Sequence, residues 1–507
     1  MLKFNRAGRR GFLTLTGGVV ATAILAACGA PASPTAPPAK APAAAAPAPA
    51  PAAADTKPAQ AQAPAAAKPV TSANAVTVRY ITRGQPSASN FAPLWDEFQV
   101  EFTKRFPNIK VEIQPSPGAS YQEQTVNQIV AGTAPDVMEQ CCWQSTYFVQ
   151  NGHTLNLQPR IQSDSAAVDL NDFYKYQFDA WRDAKNDIHL FPTYTGTMVV
   201  FYNKDWFTEK GVPFLPKNWD ENIDLVKYAE IGNKFKESGQ IRKWGSTNYG
   251  MTAKNFAWVV QMHLRGFGIN MVDPANPNRA QLDDPKALQA LELIRKWIHD
   301  DKWFAYGADS ASLGGLNVQG LFNGGKVAMM EMGSWGLTNA VDGAKFKWDI
   351  APQPKGPAGQ TTHQSVDGAM IWKGTKVQDE SWILIRESAS AWNMRRKMKW
   401  GTQPSRKSVL ADFPAELRKQ NPIFNNVNLE VFAESFAKDI GRPEEMFAKN
   451  DKTCKDEILG PAFEQVMQLG KAPVDLIGKA SKIVEKFNTG QVGIGDIGRE
   501  LNAIGIN

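Results

Sequence analysis

The 507-residue chain has only five histidines and four cysteines, and neither set is arranged for chemistry. His153, His189, His263, His299 and His363 show no metal-binding spacing and no pair on one helical turn, so a histidine-built metal centre is not expected. Cys28, Cys141, Cys142 and Cys454 offer too few ligands for zinc. No Gly-x-Ser-x-Gly elbow is present, so the usual hydrolase nucleophile has no signature here. Gly325-Lys326 is followed by Val327 rather than the Ser or Thr that would hold magnesium, which argues against a phosphate loop. Gly493-Ile494-Gly495-Asp496-Ile497-Gly498 has dinucleotide-binding spacing. It follows a helix-like stretch, residues 476–487, rather than a strand, and nine residues remain after it. It therefore reads as a turn between helices. Glycoside hydrolysis needs two carboxylates facing one cleft, and none of the 50 acidic residues is marked as half of such a pair. An excess of one charge is also missing from most of the chain. Residues 1–75 hold seven Lys/Arg and one Asp, which accounts for the whole net charge of +6, and the rest has 49 basic and 49 acidic residues. A neutral folded part lacks the basic surface that nucleic acid requires.

What is present begins with the N-terminus. Arg6, Arg9 and Arg10 precede a short, mostly apolar run over residues 11–27, the pattern of a secretory signal rather than a membrane-spanning helix. Arg9-Arg10-Gly11-Phe12-Leu13 resembles a twin-arginine export signal, departing from it at Gly8 and Thr14, so general secretion stays open. Leu25-Ala26-Ala27-Cys28 resembles a bacterial lipobox, which implies diacylation of Cys28 and attachment to a membrane surface. Three cysteines then remain, an odd number. Neighbours Cys141 and Cys142 would make a strained ring, and a bridge from either to Cys454 stays open. Residues 30–69 contain 20 Ala and 11 Pro. Proline at this density forbids a continuous helix and nothing large is available for a core. The segment reads as an extended tether of at most ~120 Å at ~3.1 Å per residue.

The folded part, from residue 76 on, is longer than one core normally holds, so two domains are expected. Val76-Thr77-Val78-Arg79-Tyr80-Ile81 alternates as a strand; Phe91, Trp95, Phe98, Phe102 and Phe106 recur at helical spacing; Ile109-Lys110-Val111-Glu112-Ile113 alternates again. Strand, helix and strand in this order predict a parallel crossover unit and an α/β fold. Ligands of such sheets bind beyond the C-terminal strand ends, here the loop Thr82-Arg83-Gly84-Gln85-Pro86-Ser87. A helix over residues 121–131 then leads to a short strand at Asp136-Val137-Met138 and a loop ending at Trp143. Asn218-Trp219-Asp220-Glu221 reads as a helix-starting capping box. Asp284-Pro285 starts a helix with a buried stripe of Leu288, Leu291, Ile294 and Ile298.

Tryptophan stands out. All 15 lie between Trp95 and Trp400, and their flat apolar faces suit sugar rings, which have one apolar face and a hydroxyl rim. Trp95, Trp297 and Trp382 fall on helical stripes and read as core. Trp143, Trp335 and Trp372 follow strands or lie in loops and are better candidates for contact with a ligand.

Six stretches, in order, carry a resemblance: FTKRFPNIKVEI, GTAPDVMEQ, VVFYNKDWFTEKGV, NWDENIDLVKYA, FNGGKVAMMEMGSW and VDGAMIWKGTKVQDESWILI. Together they resemble the family 1 extracellular solute-binding proteins, the maltose-binding-like receptors of ABC importers. The resemblance implies an α/β fold of the periplasmic-binding-protein type, with two lobes of mixed sheet and helices and a ligand cleft between them. It implies a signal over residues 1–27 and a lipidated tether over 28–75. Lobe I would take residues 76–200 with 350–398, and lobe II residues 201–349 with 399–507. It places Arg83, Gln85, Trp143, Tyr194, Thr195, Trp335 and Asp367 at the ligand, with Arg406 as a further contact and Asp136 in a structural role. Where some sugar receptors carry an acidic residue before the crossing strand, this chain has Gly196. The expected protein is a monomeric, extracytoplasmic, non-enzymatic receptor without cofactor or metal. It would deliver a carbohydrate to a membrane permease. A polyamine or phosphorylated polyol receptor is the alternative, and a carbohydrate-active enzyme a more distant one.

Overall fold

The computed structural model describes residues 75–82, 92–114, 121–141, 145–179, 181–183, 185–237, 244–248, 256–306, 317–337 and 343–506. The signal, the lipobox with Cys28 and the Ala/Pro tether lie outside them. So do Arg83, Gln85, Cys142 and Trp143.

Ten strands are present among the described residues: β1 (Val76–Ile81), β2 (Ile109–Gln114), β3 (Val137–Cys141), β4 (Phe191–Asn203), β5 (Ser246–Thr247), β6 (Phe304–Ala305), β7 (Met329–Gly333), β8 (Trp348–Ala351), β9 (Thr362–Ile371) and β10 (Gly441–Arg442). The crossover unit forms as the alternation predicts. β1 and β2 pair in parallel from Val76 opposite Ile109 to Ile81 opposite Gln114, joined by the helix Ala92–Arg105. That helix forms because Trp95, Phe98 and Phe102 share one face and are all buried. Lys104 and Arg105 in its last turn suit the negative end of the dipole, and Pro107 stops it. β3 is longer than its expected three residues because β9 runs antiparallel beside it as far as Cys141 opposite Asp367.

The sheet order is β2-β1-β3-β9-β4-β7, with β10 on β9 and β8 on β4, while β5 and β6 form a separate pair. β4, 13 residues long, runs through both lobes. Its first half pairs with β9, and its second half lies between β7 and β8. Residue 403 takes the other edge of β4 at the crossing, where Thr195 donates its backbone N–H to the Gln403 carbonyl at 3.2 Å. Lobe II has its own apolar core around Tyr228, Leu291, Trp297, Trp303 and Phe463. A second core joins β1 and its helix to Phe191, Trp382 and the late helices.

Two sequence expectations need correction. Glu221 does donate its backbone N–H to Asn218 Oδ1 at 2.9 Å, but residues 217–221 form a bend and turn rather than a helix. The helix begins at Leu225, capped by Asp224, which accepts from the Lys227 N–H at 2.7 Å. Trp219 explains the arrangement: it is buried, and its indole N–H donates to the Val431 carbonyl at 2.9 Å, anchoring the turn before a helix can start. In the helix Pro285–His299, capped by Asp284, the buried stripe is Ala287, Ala290, Leu291, Ile294, Trp297 and Ile298. Leu288 is only half-buried, at the edge of that stripe.

The glycine-rich stretches resolve without nucleotide chemistry. Residues 493–498 connect the helices Asp475–Asn488 and Ile497–Ala503 through one 3-10 turn. Gly320 and Gly325 stand at phosphate-loop spacing before Lys326, but Gly320 is inside the helix Val318–Asn323 and a strand follows, the reverse of a phosphate loop. Gly325 has φ +60°, a left-handed conformation that glycine adopts without strain at a helix end. Cys454 is a free, buried thiol whose pKa burial pushes up to about 12. Cys141 is disulfide-bonded, so the open pairing of Cys141 with Cys454 does not occur.

Candidate functional site

Side chains alternate across a strand, so every second residue of β4 and β9 shares a face. Tyr194 is the only one of the 13 residues of β4 that is not buried. On β9 only Ser365 and Asp367 are not buried. Tyr194 pairs with Asp367, and Gly196 with Ser365. The accessible positions of both crossing strands therefore coincide in one patch on one face.

Trp335 completes that patch. It lies in the 3-10 turn Ser334–Gly336 immediately after β7, where Ser334 and Gly336 are buried and Trp335 is partly buried against the second core. Its ring rests over two glycines. A Cβ on Gly333 would overlap the indole, and one on Gly196 would stand 2.8 Å from Trp335 Cε3, 2.8 Å from Ser365 Oγ and 2.7 Å from Tyr194 Oη. Gly196, noted above as a departure from acidic relatives, thus makes room for the ring. Tyr194 Oη lies 3.3 Å from Ser334 Oγ, linking the strand to the turn. The geometry offers an aromatic face bordered by a phenol, a hydroxyl and a carboxylate.

The opposite face is closed. Thr195 is fully buried and donates its hydroxyl to the Ser365 carbonyl at 2.9 Å. Thr197 receives Gln403 from the side: its N–H donates to Gln403 Oε1 at 3.1 Å, and Gln403 Nε2 donates back to Thr197 Oγ1 at 3.2 Å. Gln364 Nε2 donates to Ser435 Oγ at 3.1 Å. The expectation that Thr195 joins Tyr194 at the ligand fails on strand alternation. Arg406 is a second correction. It is 6% exposed, and its guanidinium donates to the carbonyls of Ala389 (2.7 Å) and Val168 (3.0 Å) and to Asp172 Oδ2 (3.1 Å). These partners belong to the segments assigned to lobe I, so the chain near residue 406 crosses the expected lobe boundary. Asp136 is structural as expected, accepting from the Arg79 N–H at 2.8 Å and from Thr375 Oγ1 at 2.6 Å.

Arg83, Gln85 and Trp143 fall outside the described residues. Their anchor points are placed, however: β1 ends at Ile81, and β3 ends at Cys141, directly opposite Asp367. Trp372 is half-buried against the cluster that holds Met138 and Trp181. Beside Asp367 and Glu139, Lys397 is buried. Burial pulls its pKa down, the two carboxylates oppose that, and Arg396 adds to it.

Sequence reading missed a second feature. Along one edge of β9, β3 stops opposite Asp367 and β10 pairs only at Thr362 and His363. In that gap a small, partly open crevice of about 10 Å³ is lined by Trp181, His363, Ser365, Val366, Pro443, Glu444 and Met446. Burial, with Arg265 and Lys455 nearby, pushes the His363 pKa down to about 3, so its imidazole is neutral at neutral pH. Among the described residues no group of three or more His, Cys, Asp or Glu is placed to hold a metal ion.

Known proteins share this architecture. A binding protein of Brucella abortus is 25% identical over 369 residues, covering 71% of this chain and 82% of the relative. The galactooligosaccharide-binding protein of Bacillus subtilis is 26% identical over 254 residues, 49% of this chain and 54% of the relative. An ABC substrate-binding protein of Listeria monocytogenes, solved in complex with cycloalternan, superposes with a TM-score of 0.69 at 19% identity, covering 82% of this chain and 99% of that one. Such structures fix the fold as the two-lobed periplasmic-binding-protein type. Residues 86–391 match the model of the bacterial extracellular solute-binding proteins, and the chain belongs to that family.

Proposed function

We propose that this chain captures a sugar, oligosaccharide or polyol between its lobes and hands it to the permease of an ABC importer while tethered through a lipid on Cys28. The observation that carries the reading is the coincidence of Tyr194, Ser365 and Asp367 with the Trp335 ring, on strands otherwise buried along their whole length. An aromatic face with a polar rim is the complement of a sugar ring. Relatives that bind galactooligosaccharide and cycloalternan support the same class. Arg83, Gln85 and Trp143 would add contacts from the loops after β1 and β3.

Capture requires no bond chemistry, and the protein is proposed to be no enzyme. Closure about the crossing strands buries the solute, and the open–closed equilibrium shifts by the difference in affinity between the two states. Micromolar affinity corresponds to about −8 kcal/mol, within reach of aromatic stacking and several hydrogen bonds. Tethering fits a chain in which, among the described residues, no helix is long and apolar enough to cross a membrane.

A thermal-shift and calorimetric screen of the purified protein tests this. Maltotriose, galactobiose, ribitol, putrescine and glycerol 3-phosphate represent the competing classes. Stabilisation by a neutral saccharide or polyol is expected. Response to putrescine or glycerol 3-phosphate alone would replace the ligand class, and hydrolysis products in the mixture by mass spectrometry would replace the receptor reading.

A further inference from the structure

Cys141 ends β3, and its neighbours fix its place in the sheet. β3 lies between β1 and β9. Cys141 stands directly opposite Asp367 of β9, and Asp367 stands opposite Tyr194 of β4. Residues directly opposite one another on antiparallel strands share a face. Cys141, Asp367 and Tyr194 therefore form one row across three strands, on the face that carries the Trp335 patch. Cys141 is the covered end of that row, at 3% exposed.

The sulfur of Cys141 is oxidised, because the residue is disulfide-bonded. Cys454 is a free thiol, which leaves Cys28 and Cys142 as the remaining partners among the four cysteines. Lipidation of Cys28 would consume its sulfur in a thioether. A bridge from Cys28 would also have to bring the start of the Ala/Pro tether onto the sheet beside Asp367. Cys142 needs no approach, since it is the next residue. Consecutive α-carbons stand about 3.8 Å apart, short of the roughly 4.4–6.8 Å that a disulfide usually spans. A ring closed between them is strained, and strained disulfides belong to the readily reduced class.

We propose that Cys141 and Cys142 form a vicinal disulfide that is part of the solute site, and that the closed ring is the form that binds. The role in binding rests on the reading of the cleft as a sugar or polyol site, whereas the bond itself does not. The ring ties the backbone of residue 142 to that of residue 141, which the sheet holds, and so fixes the direction in which the chain leaves β3 beside Asp367. A dithiol opens the ring by thiolate attack. The S–S bond breaks, both cysteines end as thiols, and the dithiol closes to its own disulfide, having supplied two electrons and two protons. Opening frees backbone that the solute must order again, on the scale of one residue's conformational entropy. Capture is then strongest where disulfides persist, as they do outside the cytosol.

Peptide mapping of the purified full chain tests the bond. Trypsin has no cleavage site between Lys110 and Arg160, so both cysteines fall in one peptide, residues 111–160. Alkylated without reduction, that peptide should stay unmodified and two hydrogens lighter than its dithiol form. After reduction it should take two alkyl groups. A cross-link from it to a peptide containing Cys28, or to a second copy of the chain, overturns the ring. Calorimetric titration with the panel above tests the role. Cys142→Ser and the dithiothreitol-treated parent should each bind the solute about tenfold more weakly, and dithiothreitol should weaken Cys142→Ser no further. If Cys142→Ser melts well below the parent, affinity is read on the reduced parent alone, with alkylation afterwards verifying that the ring was open. Unchanged affinity with the ring open overturns its role and leaves the sugar reading standing. Failure of every panel member to bind the parent overturns the sugar reading and the role together, while the peptide map still decides the bond.

Discussion

The two faces of the crossing strands are built from sequence neighbours and have opposite fates. Tyr194, Ser365 and Asp367 remain accessible beside Trp335, whereas Thr195, Thr197 and Gln364 are buried against Gln403 and Ser435. Both faces are polar. On the closed face the hydroxyls and amides already bond one another, so they fasten the strands and have nothing left for a solute. On the open face the polar groups border a ring that rests on glycine. Polarity alone does not mark a binding site. Accessibility next to an aromatic surface does.

The largest expected effect lies on the closed side. Arg406 is 7% exposed at its side chain and pairs with Asp172, which is 13% exposed, while its ring neighbour Phe173 lies 4.5 Å from the guanidinium carbon. Arg406→Ala removes the cation of a largely covered pair and the donor to the Ala389 and Val168 carbonyls, while Asp172 keeps its bonds from Ser408, so the loss should be about 3 kcal/mol, the lower end for breaking a buried pair. Chemical denaturation should record that loss, while solute affinity measured on the surviving folded fraction stays near the parent's. A selective loss of affinity without loss of stability would return Arg406 to the ligand.

The open side is probed by Trp335→Ala. The ring is partly buried against the core that holds Phe201 and Met332, so stability should fall by about 1–3 kcal/mol, less than the ~3–5 kcal/mol of a fully buried tryptophan. Binding should weaken by about 1.5–3 kcal/mol, the scale for burying a large apolar side chain, or roughly ten- to a hundredfold. Calorimetry and thermal melting on the same sample separate the outcomes. A collapsed melting temperature with intact affinity would make Trp335 a core residue.

Gly196→Ala sharpens the comparison at lower amplitude. The added methyl would stand 2.8 Å from the indole and 2.7 Å from Tyr194 Oη, so the ring must lift or tilt. Overpacking costs about 1–3 kcal/mol, and the affinity should drop about tenfold through the displaced platform. If affinity holds, the solute does not touch the part of the ring above Gly196.

These contrasts also show what was readable beforehand. β1, the helix after it and β2 were legible because Val78, Tyr80, Phe98, Phe102 and Val111 repeat at the periods that burial imposes. Trp335 was legible because Gly333-Ser334 ends an apolar strand. Thr195 was misplaced although alternation separates it from Tyr194. Which face is closed depends on Gln403 and Ser435, more than 200 residues later, and nothing local announces them. Arg406 was misplaced for the same reason, since its partner Asp172 is 234 residues away. The helix at Leu225 was misread because an Asn-x-x-Glu spacing serves a turn as well as a cap, and burial of Trp219 decides between them.

The smallest effects test the two faces at adjacent positions. Thr195→Val keeps the shape of the side chain and removes only the hydroxyl that donates to the Ser365 carbonyl at 2.9 Å. The carbonyl loses that partner inside the protein, so stability should fall by about 0.5–1.5 kcal/mol, with affinity unchanged. Tyr194→Phe removes a hydroxyl from the open face, where water can replace it, so stability should hardly move. Its Oη, 3.3 Å from Ser334 Oγ, borders the Trp335 ring, and its loss should weaken solute binding several-fold, at about 1 kcal/mol. Two adjacent residues on opposite faces of the strand would then report separately, one in melting and the other in titration. If both variants changed only stability, Tyr194 would belong to the fastening of the strands. The solute would then have to be held by Trp335, Asp367 and the loops after β1 and β3.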